Sequence, residues 1–177
     1  YPGAACDIPS NLYSFSFAPK PNWSRMFAPQ PEIKEYLEYC ASHYGIMPHV
    51  RLNTALTGAR WNEQQAHWEI TDQYGNHYTA TYLVSGAGGL SVPVYPNIPG
   101  LDQFKGRAFH SQNWDHDYDL RGKRVAVIGT GASAIQFVPE VAKVAGKVKL
   151  FQRSAAHVIA KLVPVVEQLV VGRAGRR

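Results

Sequence analysis

Gly129, Thr130, Gly131, Ala132, Ser133 and Ala134 stand in the order G-x-G-x-x-A, directly after the β-branched apolar run Lys123 to Ile128. That spacing is suited to one kind of chemistry, the binding of a dinucleotide pyrophosphate. The first glycine permits a tight turn and the second lets the backbone approach the phosphates. The small third residue leaves room for the following helix to pack on the strand, with its N-terminal N–H groups facing the anion. A second feature selects the nucleotide. Where an NAD site wants an acidic residue for the ribose hydroxyls, this chain has Gln152-Arg153-Ser154, and the Arg153 cation suits a 2′-phosphate. NADP(H) is therefore expected over NAD.

These residues need a frame. The run before Gly129 predicts a buried parallel strand. After Ala134, apolar positions Ile135, Val138, Val141, Ala142 and Ala145 recur at three- and four-residue steps and predict a helix of about four turns, ended by Gly146. Pro139 lies inside it and predicts a kink or short break near Phe137. Lys147 to Phe151 then reads as the second strand, which places the motif inside a β–α–β unit, the context that gives it weight.

The charge is distributed accordingly. Residues 1–120 carry 7 Lys/Arg and 11 Asp/Glu, a balance of −4, and the remainder carries 11 against 2, a balance of +9. An anionic cofactor is the economical partner for that excess, and no aromatic-plus-basic module points to nucleic acid. No run of about 18 apolar residues predicts a membrane span and no charged-then-apolar leader with a small-residue cleavage site is found in the sequence, so a soluble cytoplasmic protein is expected. Cys6 and Cys40 form no C-x-x-C and read as reduced thiols.

Upstream, Tyr1 to Pro31 reads as an ordered, aromatic-lined loop region in which Asp7 either meets a cofactor or caps a local turn. Pro31 to Gly45 predicts a helix with Ile33, Tyr36, Leu37, Cys40, Ala41 and Tyr44 as its apolar stripe. Three strand-like runs, Val50–Trp61, Ala66–Thr71 and His77–Leu83, predict an antiparallel meander with a turn at Tyr74-Gly75-Asn76. The last continues through Ser85 into Gly86-Ala87-Gly88-Gly89. Pro93, Pro96, Pro99 and Gly100 make a stiff connector, where a domain boundary is expected. Asp115-His116-Asp117 lacks metal-ligand spacing and reads as a solvated loop. The segment from Leu162 to the basic end at Arg177 reads as a frayed tail.

Phe104, Gly106, His110, Trp114 and Asp115 stand at F-x-G-x-x-x-H-x-x-x-W-D, just before the dinucleotide motif. This resembles the fingerprint of Baeyer–Villiger monooxygenases, within the flavin-containing monooxygenases. Tyr1 to Ser10, Tyr13 to Phe17, Gln30 to Ile33 and Gly86 to Ser91 are similar to further segments of that family, so the resemblance covers roughly residues 1 to 160. It implies an α/β fold of Rossmann-like, three-layer ββα type within a flavoprotein of two dinucleotide-binding domains. Residues 1–101 would be part of the FAD-binding domain with its meander, residues 102–120 the linker, and residues 121–177 part of the NADP(H)-binding domain.

The resemblance also implies the reaction. One oxygen atom of O2 would be inserted into a ketone or another lipophilic small molecule through a flavin peroxide, giving an ester or lactone. Gly129, Thr130, Gly131, Ala132, Ser133 and Ala134 would hold the NADP(H) pyrophosphate, Arg153 its 2′-phosphate, and Asp7 would lie near the flavin. His110 would couple domain movement to cofactor state or be a packed linker histidine. The FAD pyrophosphate motif would precede Tyr1 and the family's catalytic arginine would follow Arg177, so the chain reads as a fragment that does not complete the reaction alone. Past Val158 the resemblance is expected to stop. The alternatives are an amine- or sulfide-oxidising relative, which Trp114 disfavours, and a non-catalytic NADP(H)-binding module. A disulfide reductase is disfavoured by the missing C-x-x-C.

Overall fold

Backbone pairing between residues 4–10 and 26–30 organises the N-terminal segment in the computed structural model, which describes residues 1–155. The Cys6 amide donates to the Ala28 carbonyl (2.8 Å), Ser10 to Met26 (2.7 Å) and Gln30 to Ala4 (2.9 Å). The Ser10 hydroxyl is buried in this seam, taking the Ala28 N–H at 2.7 Å and donating to the Met26 carbonyl at 2.9 Å. Polar backbone drawn into a core must be paired in this way. Cys6 and Ala28 are completely buried against it.

Helix α1 spans Gln30–His43. The Ile33 amide donates to the Pro29 carbonyl, so Pro31 falls in the first turn, where its missing N–H costs nothing. The helix stops at Gly45, whose φ of +65° is the left-handed conformation glycine tolerates. Gly45 N–H bonds Ser42 O at 3.1 Å and Ile46 N–H bonds Ala41 O at 2.8 Å, the paired bonds of a Schellman cap. Of the expected stripe, Tyr36 and Cys40 are buried, whereas Leu37 and Tyr44 are exposed. Tyr36 fixes the preceding loop: its hydroxyl accepts the Phe15 N–H at 2.7 Å and donates to the Ala18 carbonyl at 2.8 Å.

The chain divides into two compact units, Ala41–Asn97 and the rest. In the former, β1 (Leu56–Asn62), β2 (His67–Asp72) and β3 (His77–Ala80) form an antiparallel meander in that order. Residues 50–55, expected in the first strand, lie outside it, and Tyr82–Ser85 is not a strand. Tyr82 and Val84 are 85% and 89% exposed, and no described strand flanks them. An apolar run becomes a buried strand only between neighbours. The β2–β3 turn is built on Asp72, 2% exposed, whose carboxylate accepts the N–H groups of Tyr74 and Asn76, the Asn76 amide and the Tyr78 hydroxyl at 2.7 to 3.0 Å. Those donors, the Tyr78 hydroxyl first, hold its pKa down at about 2.

In the other unit, β4 (Arg124–Ile128), α2 (Ala132–Val144) and β5 (Lys147–Phe151) follow one another, with β4 and β5 parallel from Arg124↔Lys147 to Ile128↔Phe151. This is a mixed α/β, Rossmann-like unit. The helix runs unbroken through Pro139. The carbonyl that loses its donor belongs to Ile135, a residue 44% exposed, on the outer side of the helix. The core face of α2 is Ala134, Phe137 and Val141, with Val138 and Ala145 beside them, packed on Val127. Ile135 and Ala142, expected in the stripe, point outward. The tail from Leu162, together with His157 and Val158, lies outside the described residues.

Candidate functional site: the β4–α2 turn

The parallel pairing puts the carboxyl ends of β4 and β5 at one edge, where open α/β sheets receive ligands. The two ends are joined: the Gly129 N–H donates to the Phe151 carbonyl at 2.8 Å. Gly129 has φ +109°, outside the range of residues with a Cβ, so the turn requires glycine there. Gly131 is the N-cap of α2, with extended backbone and no side-chain cap. The first intrahelical bond runs from Ile135 N–H to Gly131 O at 3.1 Å. The amides of Ala132, Ser133 and Ala134 therefore have no acceptor within the helix. A Cβ added at Gly129 or Gly131 would meet no atom within 4 Å, so the space above the turn is open. Unsatisfied donors at the positive end of a 13-residue helix, facing open space, fit a pyrophosphate.

Ala134 is 8% exposed and lies in the core with Val127 and Phe137, which is the close helix–strand packing expected of the third small residue. Arg153 lies two residues past β5, exposed, with no acidic partner among the described residues. Its position at the shared strand edge, beside the turn that Phe151 anchors, fits a 2′-phosphate. Thr130 and Ser133 are half-buried at the turn.

The remaining candidates lie elsewhere. Asp7 is exposed and accepts the Tyr13 hydroxyl at 2.9 Å, which raises the tyrosine's pKa above its ordinary value. The 3₁₀ turn Ser10–Tyr13 that follows has no side-chain cap, so Asp7 is not its capping residue. Among the described residues, a groove of about 270 Å³ is lined by Tyr1, Arg25 and Gln30, and a second of about 500 Å³ by Trp114, Tyr118 and Val144. Neither includes the β4–α2 turn.

The fingerprint residues make mostly local contacts, and Trp114 reaches α2. Phe104 folds its ring over Gly106, where a Cβ would lie 2.5 Å from the ring. Arg107 and Asp115 form an ion pair at 2.6 Å that closes the loop between them. Trp114 sits between Phe109 and Phe137, with ring centroids 5.2 and 5.3 Å away. His110 Nδ1 accepts the Gln112 N–H at 3.1 Å and caps the 3₁₀ turn Ser111–Asn113. The neutral ring thus carries its proton on Nε2.

The sequence offered no signal for Gln136. Its side-chain amide pairs with the backbone of Ala5, Nε2 donating to the Ala5 carbonyl at 2.9 Å and Oε1 accepting the Ala5 N–H at 3.4 Å. The Tyr1 hydroxyl donates to the same oxygen at 2.9 Å. Gly3, with φ +76°, passes so close that a Cβ would lie 2.8 Å from the Gln136 carbonyl oxygen.

Among known proteins, residues 5–167 match the family described as flavin-binding monooxygenase-like, which carries the likeness beyond the Val158 limit expected from the motifs. A Baeyer-Villiger monooxygenase of Pseudomonas aeruginosa is 55% identical over 161 residues, covering 91% of this chain and 31% of its own length. Another, of Streptomyces coelicolor, is 51% identical over 172 residues, covering 97% of this chain and 32% of its own. The chain spans about a third of the length of these relatives. Among solved structures, an oxidised steroid monooxygenase bound to NADP superposes with a TM-score of 0.80 at 39% identity, over 98% of this chain and 35% of that one.

Proposed function

The chain belongs to the flavin-binding monooxygenase-like family, and from that premise we propose that it is a portion of an FAD- and NADPH-dependent monooxygenase of Baeyer–Villiger type that includes part of each dinucleotide-binding domain. The single observation that carries this reading is the open, glycine-lined turn whose three uncapped helix amides share a strand edge with Arg153. The enzyme would insert one oxygen atom of O2 into a ketone and release an ester or lactone. Reduced nicotinamide and flavin together would supply the electrons and the oxygen activation when bound.

The roles of this chain's own residues follow from their placement. Gly129 shapes the turn, and the amides of Ala132, Ser133 and Ala134 would take the pyrophosphate oxygens. Thr130 and Ser133 would add hydroxyl contacts, and Arg153 would take the 2′-phosphate and so prefer NADP(H). Asp7, on the segment that α2 holds through Gln136, would face the flavin side. His110 would act as a linker residue. In domain terms, residues 1–101 would serve FAD, residues 102–120 connect, and residues 121–177 serve NADP(H). Among the described residues no helix is long and apolar enough to cross a membrane, and a cytoplasmic location suits an enzyme drawing on NADPH.

Two experiments test the reading. Titration of the chain with NADPH and with NADH, followed by tryptophan fluorescence, should give at least about tenfold tighter binding of NADPH, a preference abolished in Arg153→Ala; equal affinities refute the cofactor choice. Product analysis of an enzyme containing this chain, supplied with NADPH, O2 and cyclic ketones, should find lactones. Oxidation of amines or sulfides alone would point to the other branch of the family.

A further inference from the structure

We propose that Gln136 is a positioning residue that couples nucleotide binding at the β4–α2 turn to the fixing of the Tyr1–Asp7 segment on α2. The inference rests on the nucleotide reading of that turn and deepens it. Gln136 is five residues into α2, one turn beyond the uncapped amides of Ala132 to Ala134. Its side chain behaves as a short strand partner, engaging both backbone groups of Ala5 and the Tyr1 hydroxyl. No other side chain in α2 makes a hydrogen bond to residues 1–7. From Ala4 onward the segment is fixed by backbone bonds to residues 28–30, and Asp7 follows Ala5 by two positions.

The coupling has a physical route. A helix start without a cap frays, because its first amides gain little by staying helical. A pyrophosphate accepting those amides stiffens the first turn of α2, and the residue one turn on then holds its side chain at a lower entropic cost. Ligand and clamp each pay less once the other is in place, which is positive cooperativity without rearrangement. The effect is reciprocal: a broken clamp weakens the nucleotide by the same factor by which nucleotide strengthens the clamp. Gly3 provides a second handle, since its contact is with the backbone of α2 at Gln136 rather than with the side chain.

The test uses the whole 177-residue chain. Gln136→Met keeps length and helix propensity but removes the donor and the strong acceptor. Gly3→Ala leaves Gln136 intact and pushes the segment off the helix. In the unaltered chain, NADP⁺ is expected to slow hydrogen exchange at the Ala5, Cys6 and Asp7 amides. Both variants should lose that response and bind NADPH about fivefold more weakly, at the low end of ordinary coupling. Variants that bind NADPH as the unaltered chain does, with the exchange response intact, overturn the coupling and leave the nucleotide site standing. An unaltered chain that fails to bind NADPH overturns the nucleotide reading and the coupling with it.

Discussion

The amide of Gly129 and the carbonyl of Phe151 are joined at 2.8 Å, so the β4–α2 turn and the end of β5 form one corner. Gly129 holds φ +109° in that corner. Gly129→Ala should cost about 1–3 kcal/mol, the usual cost of a Cβ forced into such backbone. It should also tilt the turn away from the phosphates. The expected result is a lower melting temperature together with loss of NADPH binding, read by thermal denaturation and fluorescence titration.

Two other glycines look alike by distance and should behave differently. A Cβ at Gly146 would meet the Gly122 carbonyl oxygen at 2.5 Å, and a Cβ at Gly106 would meet the Phe104 ring at the same distance. The first neighbour is backbone, held where Gly122 N–H bonds Val144 O and Gly146 N–H bonds Lys123 O. The second is the tip of a side chain 60% exposed. Gly146→Ala is therefore expected to destabilise by about 1–3 kcal/mol, as overpacking does. Gly106→Ala should cost well under about 1 kcal/mol, the ring swinging away. Chemical denaturation of the two variants decides the matter.

Trp114 ties the fingerprint loop to the core of α2 through Phe137. Trp114→Ala should destabilise by about 2–4 kcal/mol, less than a fully buried aromatic because the residue is half-buried. Trp114→Phe should recover most of the loss, measured as the denaturation midpoint at unchanged slope.

Asp72 gives the meander an acid limit. Its pKa is lowered to about 2 from an ordinary 3.8, so the folded state binds the proton less well than the unfolded one. Its contribution to stability is complete above about pH 4, declines as the pH falls below that, and is gone once the pH has passed through about 2. Protection of the Tyr74 and Asn76 amides against hydrogen exchange, relative to their intrinsic rates, should fall across that window. Asp72→Asn should remove that share of the acid dependence, because an amide does not titrate, and should lower stability at neutral pH, because it offers one carbonyl acceptor to four donors.

The β4–turn–α2–β5 unit was legible because local rules agree there: a β-branched run, glycines where backbone needs them, a helical period, then another run. The end of α1 was legible for the same reason, Gly45 being the left-handed stop. What the sequence left obscure was settled by neighbours distant along the chain. The face of α2 was read correctly at Val138, Val141 and Ala145, whereas Ile135 and Ala142, though apolar, lie outside it and Phe137 takes a core place instead. Tyr82 to Ser85 has the composition of a strand without a described strand to pair with. Ser10 and Gln136 look like ordinary polar residues, and each acts through partners far along the chain that no local pattern specifies. At the candidate site, the glycine turn could be read from local pattern, whereas the bond between Gln136 and Ala5 could not.

That last contact bears on the order in which the molecule is made. Ala5 and Gln136 are 131 residues apart, and at roughly 5–20 residues per second a ribosome needs roughly 7–26 s to travel between them. Throughout that interval the Tyr1 hydroxyl and the Ala5 backbone groups that Gln136 takes must wait without that partner. The seam with residues 26–30 closes early and shelters Cys6 and Ala28, whereas the tie to α2 closes a long loop and forms late. A nascent chain halted before α2 would therefore show a protease the bond following Tyr1 but not the one following Cys6, and cutting at the former would cease once β5 had left the exit tunnel.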